Sequence, residues 1–522
     1  MIVTGRSLFA AVLVAGLVAI RPGEAPAAPS TFVFANTSEY DTIDPHLAFD
    51  VGRVAVRLNL YDGLMRWEDN PPQLQPWLAE RYEVSPDGLE YTFFLRKGVR
   101  FHDGSELTAE DVLYSIERIL ALKKGAASVF APLVEPGSTR APDRHTVEFT
   151  LKKPSAIFLA IVQEIHVVNK DLVKKHEQDG DWGQQWLSSN DAGSGSYVLE
   201  RYDPAVGFSA TRFRDHFLGW PGKHLDRIQF RTVREATSRV LGLMKGDFHG
   251  EDGYLPRDQI EQLRKSGNVQ ILEQESMRLS IIHINNQRPP FTDVHVRRAI
   301  SYAFNYNAFI QDILGNTVAR NPAPVPNNMW GFPKGLAGYS YDLDRAREEL
   351  KKAKVKIDRT LQIHPMAGFS PTDQIAAMLQ HGLKQIGIES RIVPETWPTL
   401  VEKAKDVDTT PDLWIPFVST YYADPHNWIG EMYSTSNRGT WKASSWYDNP
   451  KVDEMLNRAL TSTDRKARER LYAEAARMVV DDAATVFIYN TKWYGPFASN
   501  VRGVRFCPIG NGQEMRWVHF EG

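Results

Sequence analysis

The sequence predicts a mixed α/β protein built on more than one core, and three observations predict it. Short apolar runs of strand type are interleaved with amphipathic segments of helical period. The 522 residues suffice for two to four domain-sized cores. The pattern changes style near residue 285 and again near 485. Charged residues make up 24% and aromatics 11%, and 61 Lys+Arg stand against 64 Asp+Glu for a net charge of −3. That balance excludes a polybasic nucleic-acid binder and a disordered acidic tail. The single cysteine, Cys507, excludes an intramolecular disulfide, a four-cysteine zinc site and a C-x-x-C redox pair, so stability rests on packing.

At the N-terminus, Arg6 precedes the apolar run Leu8 to Ile20, and Arg21 and small residues follow it up to Ala27. This reads as a secretory signal peptide over residues 1–27, because 13 apolar residues fall short of the ~20 that span a bilayer. Cleavage is expected near Ala27, leaving Ala28 first. No cysteine follows the run, so a soluble periplasmic protein is expected rather than a lipoprotein.

Thr31 to Phe34 is read as a strand, and Leu58, Leu60, Leu64 and Met65 as a helix continuing into a strand. A β region begins after Pro71-Pro72, with strands at Tyr91 to Leu95 and Val147 to Leu151. Between these two strands Thr108 caps a helix, with Asp111 at its third position and Val112, Leu113, Ile116, Ile119 and Leu120 on one face. Leu279 to Ile284 reads as a strand, followed by a helix over 293–304 with Val296, Ala299, Ile300, Ala303 and Phe304 on one side. The proline-rich segment 321–338 reads as an ordered loop, and helices are expected around 342–353, 373–386, 451–460 and 465–480.

Motifs for chemistry are sparse. The sequence has no G-x-S-x-G elbow, H-E-x-x-H, Walker loop or G-x-G-x-x-G. Gly193-Ser194-Gly195-Ser196 is the nearest approach to a nucleophile elbow, lacks its spacing, and is read as a turn. The 14 histidines are scattered without metal-ligand spacing. No catalytic residue, metal or cofactor is expected.

The stretch WLAERYEVSPDGLEYTFFLRKGVRFHDGSELTAEDVLYSIERIL, Trp77 to Leu120, resembles the signature of the extracytoplasmic solute-binding proteins, family 5, the dipeptide, oligopeptide and nickel binding proteins of ABC importers. Further similar stretches follow in order: NLYDGL (Asn59 to Leu64), GSGSYVL (Gly193 to Leu199), PPFTDVHVRRAISYAFN (Pro289 to Asn305), PNNMWGF (Pro326 to Phe332), YDLDRAREEL (Tyr341 to Leu350) and YNTKWYGPF (Tyr489 to Phe497). The resemblance implies a type II periplasmic binding protein fold with a ligand cleft between two lobes. Lobe I would hold residues 28–285 plus 486–522, with 71–190 as an extra β-rich subdomain, and lobe II residues 286–485. It further implies a monomer that passes a peptide-like, opine-like or saccharide solute to an ABC permease and ATPase complex at the inner membrane. A secreted hydrolase is the rival class, and turnover of the solute would distinguish it.

In the family's peptide binders, an Asp in a lobe II loop pairs with the peptide amine. Here that loop reads Thr420-Tyr421-Tyr422-Ala423-Asp424-Pro425, and the amine-pairing position is Tyr421. Dipeptide binders also place an Arg in the loop corresponding to His364 to Asp373, which here has neither Arg nor Lys. Unless Arg53 or another unplaced charge substitutes, both ends of a zwitterionic dipeptide lack partners. The resemblance and the aromatic clustering together give Trp397, Tyr421, Tyr422, Asp424 and Asp50 as the expected ligand-binding residues.

Overall fold

The computed structural model describes Met1 and residues 30–521; apart from Met1, the expected signal peptide over residues 1–27 and its expected cleavage site lie outside the described residues. A 12-stranded sheet runs through the molecule. From one edge its strands are Ser390–Ile392, Leu361–His364, Leu413–Trp414, Val269–Ile284, Thr485–Ala498, Gly250–Glu251, Thr31–Asn36, Arg227–Thr232, Gly207–Arg212 and Tyr197–Asp203, with Phe417–Val418 and Ala319–Arg320 paired alongside the two long central strands. A separate four-stranded antiparallel sheet is formed by Ala79–Val84, Glu90–Leu95, Thr146–Leu151 and Val134–Asp143.

The two long strands are antiparallel, registered from Val269 opposite Ala498 to His283 opposite Thr485. Each feeds two cores. At one end Leu272, Trp493 and Phe497 pack with Phe32, Phe34, Phe208 and Phe230. At the other, Ile282, Ile284, Val486 and Ile488 pack with Ile300, Phe304, Leu379 and Leu383. Burying each such side chain contributes about 1.5–3 kcal/mol, so each end has its own cohesive body. The expected strand Leu279 to Ile284 thus extends ten residues further toward the N-terminus, to Val269. That extension is polar, with Gln270, Glu273, Gln274 and Glu275, and its strand character comes from pairing rather than from an apolar pattern.

The ladder shifts register twice, between Glu275 and Leu279 and between Ser280 and Ile281, and the first break is the wider. Glu275 pairs with Lys492 and Leu279 with Asn490, leaving Ser276, Met277 and Arg278 opposite Thr491 alone. The Ser276 hydroxyl lies 2.9 Å from the Thr491 carbonyl oxygen and 2.6 Å from the Thr491 hydroxyl, which pins the irregularity. Bulges of this kind re-aim side chains and recur beside functional sites.

Local chemistry explains the flanking helices. Ala109–Leu122 begins at a Thr108/Asp111 capping box, as the spacing predicts, and buries Val112, Ile116, Ile119 and Leu120. Val294–Ala303 is capped by Asp293, whose side chain accepts from the His295 N–H at 2.9 Å. Ser370–Gln385 starts three residues before its expected position because Pro371 fits the first helical turn. Residues 321–338 contain turns and bends but no helix or strand. Gly193 and Gly195 press on the Leu60–Tyr61 backbone, where a Cβ at Gly195 would lie 2.4 Å from the Leu60 carbonyl carbon. Ser194 is buried and donates to Asp62 at 2.9 Å, and in place of the expected turn the segment is irregular with a bend at Gly195-Ser196. Among the described residues, no helix is long and apolar enough to cross a membrane.

Candidate functional site

Two cavities meet at the loop Ser419 to Tyr422. The inner one, of about 170 Å³, lies against the bulge of the long strands. One wall comes from Asp252 to Pro256 and the helix Arg257–Lys265; the other comes from Leu314, Phe369, Phe417 and Thr420. Met277, Arg278, Tyr489 and Trp493 line it from the long strands, and Asn511 from the C-terminal segment. The outer cavity, of about 890 Å³, is a groove between Phe49, Lys123 and Lys124 on one side and Tyr421, Trp441 and Lys442 on the other.

Aromatic rings dominate the inner cavity. Tyr254 reaches across it to meet Phe369 edge-on at 5.5 Å, and Phe369 meets Phe417 at 5.0 Å. Its carboxylates already have partners. Asp252 accepts from the Thr37 N–H at 2.5 Å and lies 3.8 Å from Arg239. Glu261 lies 3.4 Å from Arg264. Beside Asp252, burial and then the Asp252 charge push the Glu251 carboxyl up to about 8, against the pull of Arg239.

Arg278 is different. The irregular ladder turns it into the cavity, where its Nε donates to the Ser419 hydroxyl at 3.0 Å and its guanidinium lies 4.8 Å from the Tyr254 ring centroid. It forms no ion pair among the described residues. The Tyr254 phenol is raised by burial, while Arg278 and Asn511 pull the other way. Asn511 is 5% exposed, and its Nδ2 has no hydrogen-bond partner among the described residues.

The sequence-predicted residues lie around these cavities in unlike settings. Tyr421 faces the outer groove, 5.2 Å from Phe49, with the Lys442 ammonium 4.3 Å over its ring. Its backbone N–H donates to Asn427 Oδ1 at 3.2 Å, and Asn427 Nδ2 holds the Ser419 carbonyl at 3.0 Å, so one buried amide fixes the loop. Lys442 pairs with Glu431; burial lowers its pKa, and Glu431 opposes that. Tyr422 is buried and donates its hydroxyl to Glu431 at 2.5 Å.

Asp424 accepts from Arg468 at 2.7 Å and from the His426 N–H at 3.0 Å, capping the short turn Pro425–Asn427. Its pKa is raised, as burial outweighs Arg468. Trp397 opens the helix Trp397–Lys403 and packs 4.9 Å from Trp441 and 5.8 Å from Trp414, outside the residues lining either cavity. Asp50 is held by Arg53, whose Nε donates at 2.6 Å, and Arg53 also pairs with Asp41. Only Tyr421 of the five lines a cavity.

Sequence reasoning missed Arg278, Tyr254, Phe369 and Asn511. A cation standing just before the apolar run Leu279 to Ile284 was the available signal for Arg278, but its direction depends on a register break set by the partner strand. Among the described residues, no three His, Cys, Asp or Glu side chains gather as metal ligands.

The comparisons with known proteins converge. The family described as "Bacterial extracellular solute-binding proteins, family 5 Middle" matches residues 73–440. The probable D,D-dipeptide-binding periplasmic protein DdpA of Escherichia coli K12 is 28% identical over 486 residues, covering 91% of this chain and 92% of that protein. The periplasmic binding protein DppA of Helicobacter pylori, solved with the peptide STSA, superposes with a TM-score of 0.84 at 26% identity, covering 94% of this chain and 98% of that one. The dipeptide-binding protein of Pseudoalteromonas sp. SM9913, solved with Met-Leu, has a TM-score of 0.85 at 19% identity, covering 94% and 100%, and speaks for the fold. The fold is that of type II periplasmic binding proteins, and relatives are binding proteins rather than enzymes. By its sequence and its architecture, the chain belongs to the bacterial extracellular solute-binding proteins, family 5.

Proposed function

We propose that this protein is the periplasmic binding component of an ABC importer, which captures a peptide-like solute between two lobes and delivers it to a membrane permease. The observation that carries the reading is the inner cavity, whose walls come from both ends of the paired strands Val269–Ile284 and Thr485–Ala498. Lobe I is then formed by residues 28–285 and 486–522, with 71–190 as its β-rich extension, and lobe II lies between, except that the strand ends Leu279–Ile284 and Val486–Ile488 pack on the lobe II side. Solute held by both walls gains its full contacts only when the lobes close. Shifting such a balance from 1:99 to 99:1 takes about 5.5 kcal/mol of differential affinity, which micromolar binding at about −8 kcal/mol covers.

Tyr421 and Lys442 argue against a free amine at the outer end of the solute. A phenol with an ammonium over its face offers no counter-charge, the Glu431 carboxylate of the same groove is already paired with Lys442, and burying an unpaired ammonium costs several kcal/mol. The solute is therefore a modified peptide, an opine-like conjugate or another peptide-like molecule without a free amine there. The test is to purify the protein from the periplasmic fraction without refolding, denature it, and identify released small molecules by mass spectrometry. The expected result is one solute, chemically unchanged after incubation with fresh protein. A converted product would favour a hydrolase.

A further inference from the structure

We propose that Arg278 is the anchor for a carboxylate of the solute, so that the inner cavity selects a peptide-like acid with an apolar or aromatic body. The inference deepens the solute-binding reading and rests on it.

The polar groups of the inner cavity are unbalanced in one direction. Asp252 is engaged by a backbone N–H and lies near Arg239, Glu261 is near Arg264, and Lys492 lies 3.5 Å from Glu275. Arg257 also lines the cavity without an ion pair among the described residues but is exposed at its edge, which leaves two donor groups facing inward. The guanidinium of half-buried Arg278 donates through Nε to Ser419, and its terminal nitrogens donate to no carboxylate or carbonyl among the described residues. The Asn511 Nδ2 amide is buried without a partner.

Arg278 is held by Ser419 and the Tyr254 phenol but by no carboxylate, and a guanidinium matches a carboxylate through two parallel N–H bonds. Tyr254 holds the plane of Arg278 from one side and touches Phe369 of the opposite wall. An acid seated on Arg278 would thus lie among Tyr254, Phe369 and Phe417, whose rings suit an apolar or aromatic neighbour. The strand irregularity explains how a residue of an interior strand presents its charge here: in regular pairing, Arg278 would have its own partner opposite in the ladder.

Four probes test this by calorimetry: N-acetyl-Ala-Phe with a free carboxylate, its C-terminal amide, free Ala-Phe, and Ala-Phe amide. Wild-type protein should prefer the acetylated acid over its amide by roughly ten-fold or more, the range of a charge-assisted pair. Arg278→Gln should bring that ratio close to one, and Arg278→Lys should restore part of it. Arg81→Gln, an exposed cation of the four-stranded sheet outside the residues lining the cavity, should leave it unchanged. Circular dichroism and thermal melts confirm that each variant is folded. Equal binding of acid and amide, a preference that survives in Arg278→Gln, or no binding of any probe at millimolar concentration overturns the proposal. The solute released from natively purified protein separates the two readings. A solute without an acidic group leaves importer binding standing and removes Arg278 as its anchor, whereas a converted product removes the importer reading itself.

Discussion

Tyr421 carries the Lys442 ammonium over its ring and Phe49 at its edge, so its surroundings are built for an aromatic side chain. Tyr421→Asp would place a second carboxylate beside Lys442, which already pairs with Glu431, and would share that ammonium. Free-amine dipeptides should gain no affinity from that change alone, whereas Tyr421→Asp with Lys442→Met should improve it, as read by calorimetry. Asp424 makes the opposite case. Its carboxylate compensates buried Arg468, and removing one partner of such a pair costs about 3–5 kcal/mol. Asp424→Ala should lower stability by that order in urea unfolding while leaving solute affinity within two-fold, and a large loss of affinity at unchanged stability would show a ligand role instead. His102 gives a pH signature. Burial lowers its pKa, but Asp191 at 2.7 Å and the Gly195 carbonyl at 2.9 Å face its two ring nitrogens, and the net shift is upward. Its stabilisation is therefore full below the ordinary histidine value of about 6.5 and is lost as pH rises through the raised folded value. Melts at pH 6 and pH 8 should show wild-type losing more stability than His102→Gln over that window.

At the scale of elements, what was legible in the sequence is what is decided locally. The Thr108/Asp111 box and the face of Val294–Ala303 depend on residues a few positions apart, and each forms as the spacing predicts. The N-terminal half of Val269–Ile284 was not legible, because a polar run becomes a strand only against Thr485–Ala498. The same holds for the cavity: Arg278, Tyr254, Phe369 and Asn511 meet through long-range packing, and no spacing joins them. Aromatic density pointed to Tyr421 at the groove, but equally to Tyr422 and Trp397, which pack on neighbouring side chains. The capping box offers a local check. Thr108→Ala removes a side-chain cap and should destabilise by about 1 kcal/mol in chemical denaturation, without altering solute affinity.

For the whole molecule, two bodies share two long strands and enclose a cavity where the ladder is irregular. The bodies already touch through Tyr254 and Phe369 at the inner cavity and through Phe49 and Tyr421 at the outer groove. Under the proposed two-lobe reading this is a closed form, and the flexing points we propose lie where the two long strands pass between the cores, beside the break at Glu275 to Leu279. The most direct measurement is small-angle scattering on protein emptied by unfolding and refolding, with and without the solute recovered from natively purified material. The account predicts a smaller radius of gyration at saturating solute, because contacts to both walls are complete only in the closed state. An unchanged radius while calorimetry reports a saturated site would contradict capture by lobe closure.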